Sequence, residues 1–136
     1  GRPNPEVTAA LEALGARVTP MVVYRWTLPE DCEPLREAAR QLAARKFDVV
    51  MFTSSIQLEH LLKIAREQGV EGQAIDALRH YTAVASVGPV MSDSLRAAGL
   101  PVDIEPVHPK MAPLTKAVLE MTASIVAVKR DRDGAA

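Results

Sequence analysis

Three consecutive hydroxyl residues, Thr53, Ser54 and Ser55, follow directly on the short apolar run of residues 47–52. A run of this kind predicts a strand that is buried on both faces. Ser54 and Gln57 have the spacing of a capping box, so the strand leads into a helix N-terminus after almost no loop. The unpaired N–H groups and partial positive charge of such a terminus bind anions. The segment therefore predicts a point at which an anionic ligand is held.

Three other segments are predicted to reach the same edge of the sheet. They are residues 24–26, residues 86–89 and residues 108–110. The last two open helices, as the hydroxyl segment does, and parallel sheets bind ligands at the carboxyl ends of their strands. This inference is generic, because every open parallel sheet has such an edge.

The elements that position these segments alternate between helical and extended patterns. Asn4 is a good cap residue before Pro5, and Gly15 ends the first helix. Strands separated by helices pair in parallel with right-handed crossovers. The predicted fold class is therefore α/β, a doubly wound parallel sheet with residues 47–52 as its central strand. Helices are predicted at residues 5–14, 35–44, 55–68, 75–78, 89–98 and 111–123, and strands at residues 18–24, 47–52, 81–87 and 102–105.

Composition narrows the possible functions. The net charge is −1 and aromatic residues make up 4% of the chain, so no footprint for nucleic acid is visible. Cys32 is the one cysteine, and it favours a reducing compartment without a disulfide or a cysteine metal cluster. The three histidines share no ligand spacing, so no metal site is expected. No apolar run of membrane-spanning length and no secretory signal are expected either.

Catalytic sequence motifs give no further help. The chain has no G-x-G-x-x-G after a strand, no P-loop, no G-x-S-x-G and no H-E-x-x-H. From the residues alone, the sequence predicts an α/β domain with an anion-binding edge.

The order of the segments, however, resembles the carboxyl-terminal half of uroporphyrinogen-III synthase. The resemblance extends over residues 1–123, and no single motif within it is specific. Its weight comes from the succession of segments in the correct order and spacing. The matching segments are residues 15–18, 23–25, 52–55, 84–89, 95–100 and 108–111.

The resemblance implies two similar α/β domains joined by a two-stranded linker, with the substrate in the cleft between them. Residues 1–27 would then be the closing helix and strand of the second domain, with the linker. Residues 28–125 would be the main α/β domain without its opening strand and helix, and residues 126–136 a disordered tail. The missing amino-terminal half would be a partner of this chain, and the chain alone would be inactive. A homodimer formed by swapping residues 4–24 is a further expectation for the isolated chain.

The resemblance also implies a reaction. The family cyclises hydroxymethylbilane to uroporphyrinogen III and inverts the last pyrrole ring, in the cytoplasm and without a metal or cofactor. Tyr24 matches a tyrosine beside the cleft and is the candidate proton donor to the leaving hydroxyl, although a tyrosine packed at the end of a strand would look the same. The matching substrate-binding residues are Thr53, Ser54, Ser55, Gly88, Pro89 and Lys110. Helix capping by the hydroxyl residues and a solvated Lys110 are the structural alternatives.

One departure from the family pattern concerns the residues after Gly88-Pro89. The family usually has a small hydroxyl residue within two positions, whereas this chain has Val90 and Met91 before Ser92. The departure leaves a non-enzymatic tetrapyrrole-sensing module of a larger protein as the main alternative. A phosphoacceptor receiver domain is rejected, because it needs an aspartate where Thr53 stands.

Overall fold

The computed structural model describes residues 4–21 and 27–135. The chain divides into two compact units, Gly1–Glu30 and Asp31–Ala136. This boundary lies three residues after the one predicted between residues 27 and 28.

The first unit contains one described helix, α1, at Pro5–Ala13. The side chain of Asn4 caps it by accepting a hydrogen bond of 3.1 Å from the N–H of Val7. Gly15 follows its end with φ of +88°, a conformation that glycine adopts without strain. These predicted helix boundaries are confirmed. Of the predicted strand at residues 18–24, residues 18–21 form no strand and residues 22–24 lie outside the described residues.

The second unit carries the sheet. Its strands β1 and β2 are parallel and pair in register from Val49 with Ala83 to Phe52 with Ser86. On the other side of β2, Ala85 forms a parallel bridge with Ile104, which is what remains of the strand predicted at residues 102–105. The elements in order are α2 at Glu33–Ala43, β1 at Val49–Phe52, α3 at Ser55–Glu67, α4 at Glu71–His80, β2 at Ala83–Ser86, α5 at Pro89–Ala97 and α6 at Met111–Ala135.

The central position in this sheet belongs to β2, not to the segment at residues 47–52. All four residues of β2 are buried, whereas Val49, Val50 and Met51 of β1 are only partly buried. The prediction of a central strand at residues 47–52 is therefore wrong for the described sheet. An apolar run shows that a strand is buried on its faces, but it does not show which strands lie beside it.

Helices cover both faces of the sheet. Ala85 and Ile104 form a buried cluster with Leu114 and Val118 of α6, and Val49 and Met51 pack against it. Because successive side chains of a strand point to opposite faces, Phe52 and Val84 face away from α6. Both are buried, and α3 and α5 contact the strands. The fold class is α/β, as predicted.

Helix α6 is longer than the sequence predicted. It continues to Ala135, so the disordered tail expected at residues 126–136 is wrong over residues 126–135. Lys129 Nζ donates to Asp103 Oδ2 at 2.6 Å and to the carbonyl oxygens of Leu78 and Thr82 at 2.8 Å each. Arg130 Nη2 donates to Asp48 Oδ1 at 2.7 Å. These long-range bonds hold the last turns of α6 on the domain.

The same helix corrects a second expectation. In the described part of the chain, Met111–Gly134 has the length and the apolar composition of a membrane-spanning helix, which the sequence was not expected to contain. However, α6 packs on β2 and inserts Lys129 among carbonyl groups of the domain. These contacts attach the helix to the domain, although only 17% of its apolar stretch is buried.

Candidate functional site

Three helices of the second unit begin at the carboxyl edge of the sheet. Helix α3 starts directly after β1, α5 starts after β2, and α6 starts after the loop that follows Ile104. The first N–H groups of each helix have no intrahelical acceptor. The predicted convergence of helix N-termini at this edge is confirmed for these three segments.

The start of α3 is fixed by Gln57. Its Oε1 accepts hydrogen bonds from the N–H groups of Thr53 at 2.8 Å and Ser54 at 3.3 Å, and its Nε2 donates to Thr53 Oγ1 at 3.0 Å. The bond from the Ser54 N–H to Gln57 is the one that the predicted capping box requires of the glutamine. The two bonds with Thr53 are additional. The Ser55 hydroxyl has no partner among the residues that the structure describes, so it is available to a ligand.

The start of α5 is fixed by two buried serines. Ser86 Oγ donates to the carbonyl oxygen of Gly88 at 2.9 Å and accepts from the N–H of Gly88 at 3.3 Å. The Ser92 hydroxyl contacts Ser86 Oγ at 2.8 Å and forms a hydrogen bond with Glu105 Oε1. The Ser92 side chain therefore holds the turn at Gly88 in place.

The starts of α3 and α5 enclose a cavity of about 390 Å³. Five of the seven predicted site residues line it, namely Thr53, Ser54, Ser55, Gly88 and Pro89. Lys110 is exposed and does not line the cavity, although its neighbour Pro109 does. Tyr24 lies outside the described residues. The other lining residues are Val87, Val90, Met91 and Pro109.

The electrostatic character of this cavity comes from the backbone. No acidic residue lines it, and the N-termini of α3 and α5 both contribute partial positive charge. Together with the hydroxyl groups, the arrangement can hold a carboxylate. Across the described ranges 4–21 and 27–135, no group of three or more His, Cys, Asp or Glu side chains is placed to hold a metal ion.

Sequence reasoning missed the linkage between Ser86, Ser92 and Glu105. Ser92, the first hydroxyl residue after Gly88-Pro89, is fully buried, and its hydroxyl is bonded to Ser86 and Glu105. No local pattern could have revealed this, because Glu105 is 13 residues away along the chain.

A parallel sheet with helices on both faces, and with three helix N-termini at one of its edges, defines this molecule as an open α/β domain. The chain belongs to the uroporphyrinogen-III synthase family, because the family model described as uroporphyrinogen-III synthase HemD matches residues 1–116. The family is one of tetrapyrrole-synthesising lyases, and the resemblance inferred from the sequence is confirmed.

Individual relatives agree with this assignment. The crystal structure of uroporphyrinogen III synthase from Thermus thermophilus superposes with a TM-score of 0.63 and 26% identity, over 92% of this chain and 46% of that one. A provisionally named uroporphyrinogen-III synthase of Methanothermobacter thermautotrophicus is 38% identical over 66% of this chain and 34% of its own length. The uncharacterized protein YjjA of Bacillus subtilis is 31% identical over 74% of this chain and 37% of its own. The chain therefore spans between a third and a half of these relatives.

Proposed function

We propose that this chain is the carboxyl-terminal half of a cytoplasmic uroporphyrinogen-III synthase, which cyclises hydroxymethylbilane to uroporphyrinogen III in heme biosynthesis. The observation that carries the proposal is the cavity at which the starts of α3 and α5 meet the hydroxyl groups of residues 53–55. The substrate carries eight carboxylates, and helix N-termini with free N–H groups suit such a ligand.

In this proposal the chain contributes mainly by positioning a flexible substrate. Thr53, Ser54 and Ser55 hold carboxylates at the cavity, Gly88 and Pro89 position the first-turn N–H groups of α5 that follow them, and Lys110 pairs with another carboxylate nearby. Tyr24 protonates the hydroxyl group that leaves as water. The substrate then closes on its last pyrrole ring through a spiro intermediate and rearranges, and the proton released on closure restores the phenol. The role of Tyr24 depends on the family resemblance alone.

The outer edge of β1 supports the proposal that part of the protein lies outside this chain. The carbonyl oxygens of Asp48 and Phe52 accept hydrogen bonds from the N–H groups of Ala83 and Val87. By alternation the backbone groups of Val49 and Met51 point to the other edge of β1. Within residues 31–135 no strand pairs there. An apolar groove of about 450 Å³ runs beside this edge, between Val49 and residues 118–126 of α6. A strand from the amino-terminal half would fill it, and in the isolated chain a swapped homodimer would do the same.

Substitutions at Ser54 test the site without removing the helix cap. Aspartate and asparagine are both good N-cap residues, but only Ser54→Asp adds negative charge beside the proposed carboxylate. We expect Ser54→Asp to weaken binding of uroporphyrinogen III by about tenfold, while Ser54→Asn retains it. The measurement is the shift of amide signals of residues 53–57 and 88–92 on titration of the complete, labelled protein.

A second substitution controls for charge in general. Ser124→Asp adds the same charge on α6, at an exposed position outside the cavity lining, and is expected to leave binding unchanged. Amide shifts confined to the amino-terminal edge of the strands would refute the site.

Val90 and Met91 favour one alternative function, because they line the cavity where the family usually places a hydroxyl residue. A non-enzymatic tetrapyrrole-sensing module would bind uroporphyrinogen III without turnover. The assay that separates the two functions is conversion of hydroxymethylbilane by the complete protein. Binding without formation of the III isomer would select the sensing module.

A further inference from the structure

Three exposed aliphatic residues lie at the cavity or close to it along the chain. Val90 lines it and is 81% exposed, while Val107 is 93% exposed and Met111 is 52% exposed. Val107 and Met111 each lie two residues from Pro109, which also lines the cavity. Two residues span at most about 7 Å, so the backbones of Val107 and Met111 lie close to Pro109 at the opening. We refer to Val90, Val107 and Met111 as the apolar rim.

The loop that carries two of these residues is held against the start of α5. A Cβ atom built on Gly88 would lie only 2.5 Å from Cβ of Pro109, so the proline side chain packs directly against Gly88. The N–H of Lys110 donates to the carbonyl oxygen of His108 at 2.8 Å, which closes the loop into a turn. The rim is therefore a fixed part of the site.

The rim and the cavity floor differ in chemistry. The floor offers hydroxyl groups and helix N-termini, which hold carboxylates, whereas the rim offers aliphatic groups that gain from contact with an apolar surface. A ligand that satisfies both has apolar ring faces and carboxylate groups on flexible arms. A small carboxylate without rings would leave the rim exposed to water.

We propose that the apolar rim packs on the pyrrole ring faces of the ligand and selects a tetrapyrrole over other polycarboxylates. This inference rests on the proposed function, because it takes the same site and ligand class. It also gives Val90 a role in binding, where the family pattern alone would suggest a lost contact.

Nearly isosteric polar substitutions test the rim without disturbing the fold. The variants are Val90→Thr, Val107→Thr and Met111→Gln, singly and combined, with Leu119→Gln as the matched control because Leu119 is 81% exposed on α6 and lines a different groove. Binding of uroporphyrinogen III and of citrate is followed by amide shifts at residues 53–57. We expect each rim variant to weaken uroporphyrinogen binding about threefold to tenfold and to leave citrate binding unchanged.

The outcomes separate this inference from the proposed function. Absence of uroporphyrinogen binding by the complete, unmodified protein would overturn both. If the combined rim variant binds uroporphyrinogen III as tightly as the unmodified protein, the proposed role of the rim is wrong and the proposed function is unaffected. An equal loss of citrate binding would have the same consequence. A gain in uroporphyrinogen affinity in Val90→Thr would also overturn it, because it would show that the ligand prefers a hydroxyl group at this position.

Discussion

Gly88 and Pro109 are packed so closely that a Cβ atom on Gly88 would lie 2.5 Å from Cβ of Pro109. The backbone of Gly88 is extended, with φ of 178°, and any residue can adopt it. Glycine is therefore required here by the contact and not by the backbone conformation. The contact joins the start of α5 to the loop before α6.

The first prediction is that Gly88→Ala destabilises the domain. The added methyl group must push Pro109 away, and overpacking of this kind costs about 1–3 kcal/mol of unfolding free energy. Urea denaturation measures the change.

Gly72→Ala is the matched control for this prediction. Gly72 lies inside α4, and a Cβ atom there would meet nothing within 4 Å. Since alanine is the better helix former, we expect Gly72→Ala to raise the unfolding free energy by up to about 1 kcal/mol. Equal stability of Gly88→Ala and the unmodified chain would contradict the predicted clash.

The second prediction concerns the ammonium group of Lys129, which is bonded to Asp103 and to two backbone carbonyls. The side chains of Lys129 and Asp103 are only 11% and 16% exposed. Lys129→Met leaves a mostly buried carboxylate without its cation, and we expect a loss of about 3 kcal/mol. Lys116→Met is the control, because Lys116 is 77% exposed and lies 3.9 Å from Glu120. The loss of unfolding free energy in Lys116→Met should stay below about 1 kcal/mol. An equal loss in both variants would refute the prediction.

The third prediction concerns acid pH and Arg40. Hydrogen bonds from the Arg40 guanidinium lower the pKa of Glu33 and Glu37 below the ordinary value of 4.5. A carboxyl group with a lowered pKa stabilises the fold above its ordinary pKa, and this contribution is lost as the pH falls through the lowered value. Both side chains are exposed to solvent, so the effect on stability is small.

Titration of the carboxyl carbons by NMR checks this prediction. In Arg40→Met the pKa of both glutamates should rise toward the ordinary value. The pKa of Glu71, which a hydrogen bond from Arg66 lowers, should remain unchanged in the same sample. If the pKa of Glu33 is the same in Arg40→Met as in the unmodified chain, Arg40 is not the cause of the lowered pKa.

The fourth prediction is that the 136-residue chain alone does not catalyse formation of uroporphyrinogen III. The family cleft lies between two domains, and within residues 31–135 the edge of β1 has no strand beside it. The assay supplies hydroxymethylbilane to the purified chain and compares the III isomer with the I isomer that forms spontaneously. Catalytic formation of the III isomer would show that the chain is not an incomplete half.

The fold was predictable where local pattern determines structure. The cores of β1 and β2 and the starts of α3 and α5 follow from apolar runs, cap residues and glycines. The end of α6 was not predictable, because its charged residues resemble a tail. They bond instead to Asp103 and Asp48, which lie 26 and 82 residues away along the chain.

The candidate site was predictable in part for a similar reason. Residues 53–55 and 88–89 follow directly on strands, so topology alone brings them to one edge. The linkage of Ser92 to Glu105 and the position of Val107 depend on how a loop folds back onto α5. That packing has no counterpart in the local sequence.

The candidate site is built on the starts of helices, and this affects how freely the sequence can diverge. A main-chain N–H is supplied by every amino acid except proline, so a site built on helix starts places few demands on the identity of its residues. Selection would then act on where α3 and α5 begin and on the glycine that lets a proline approach. Substitutions can accumulate elsewhere along the edge while its shape and binding groups persist.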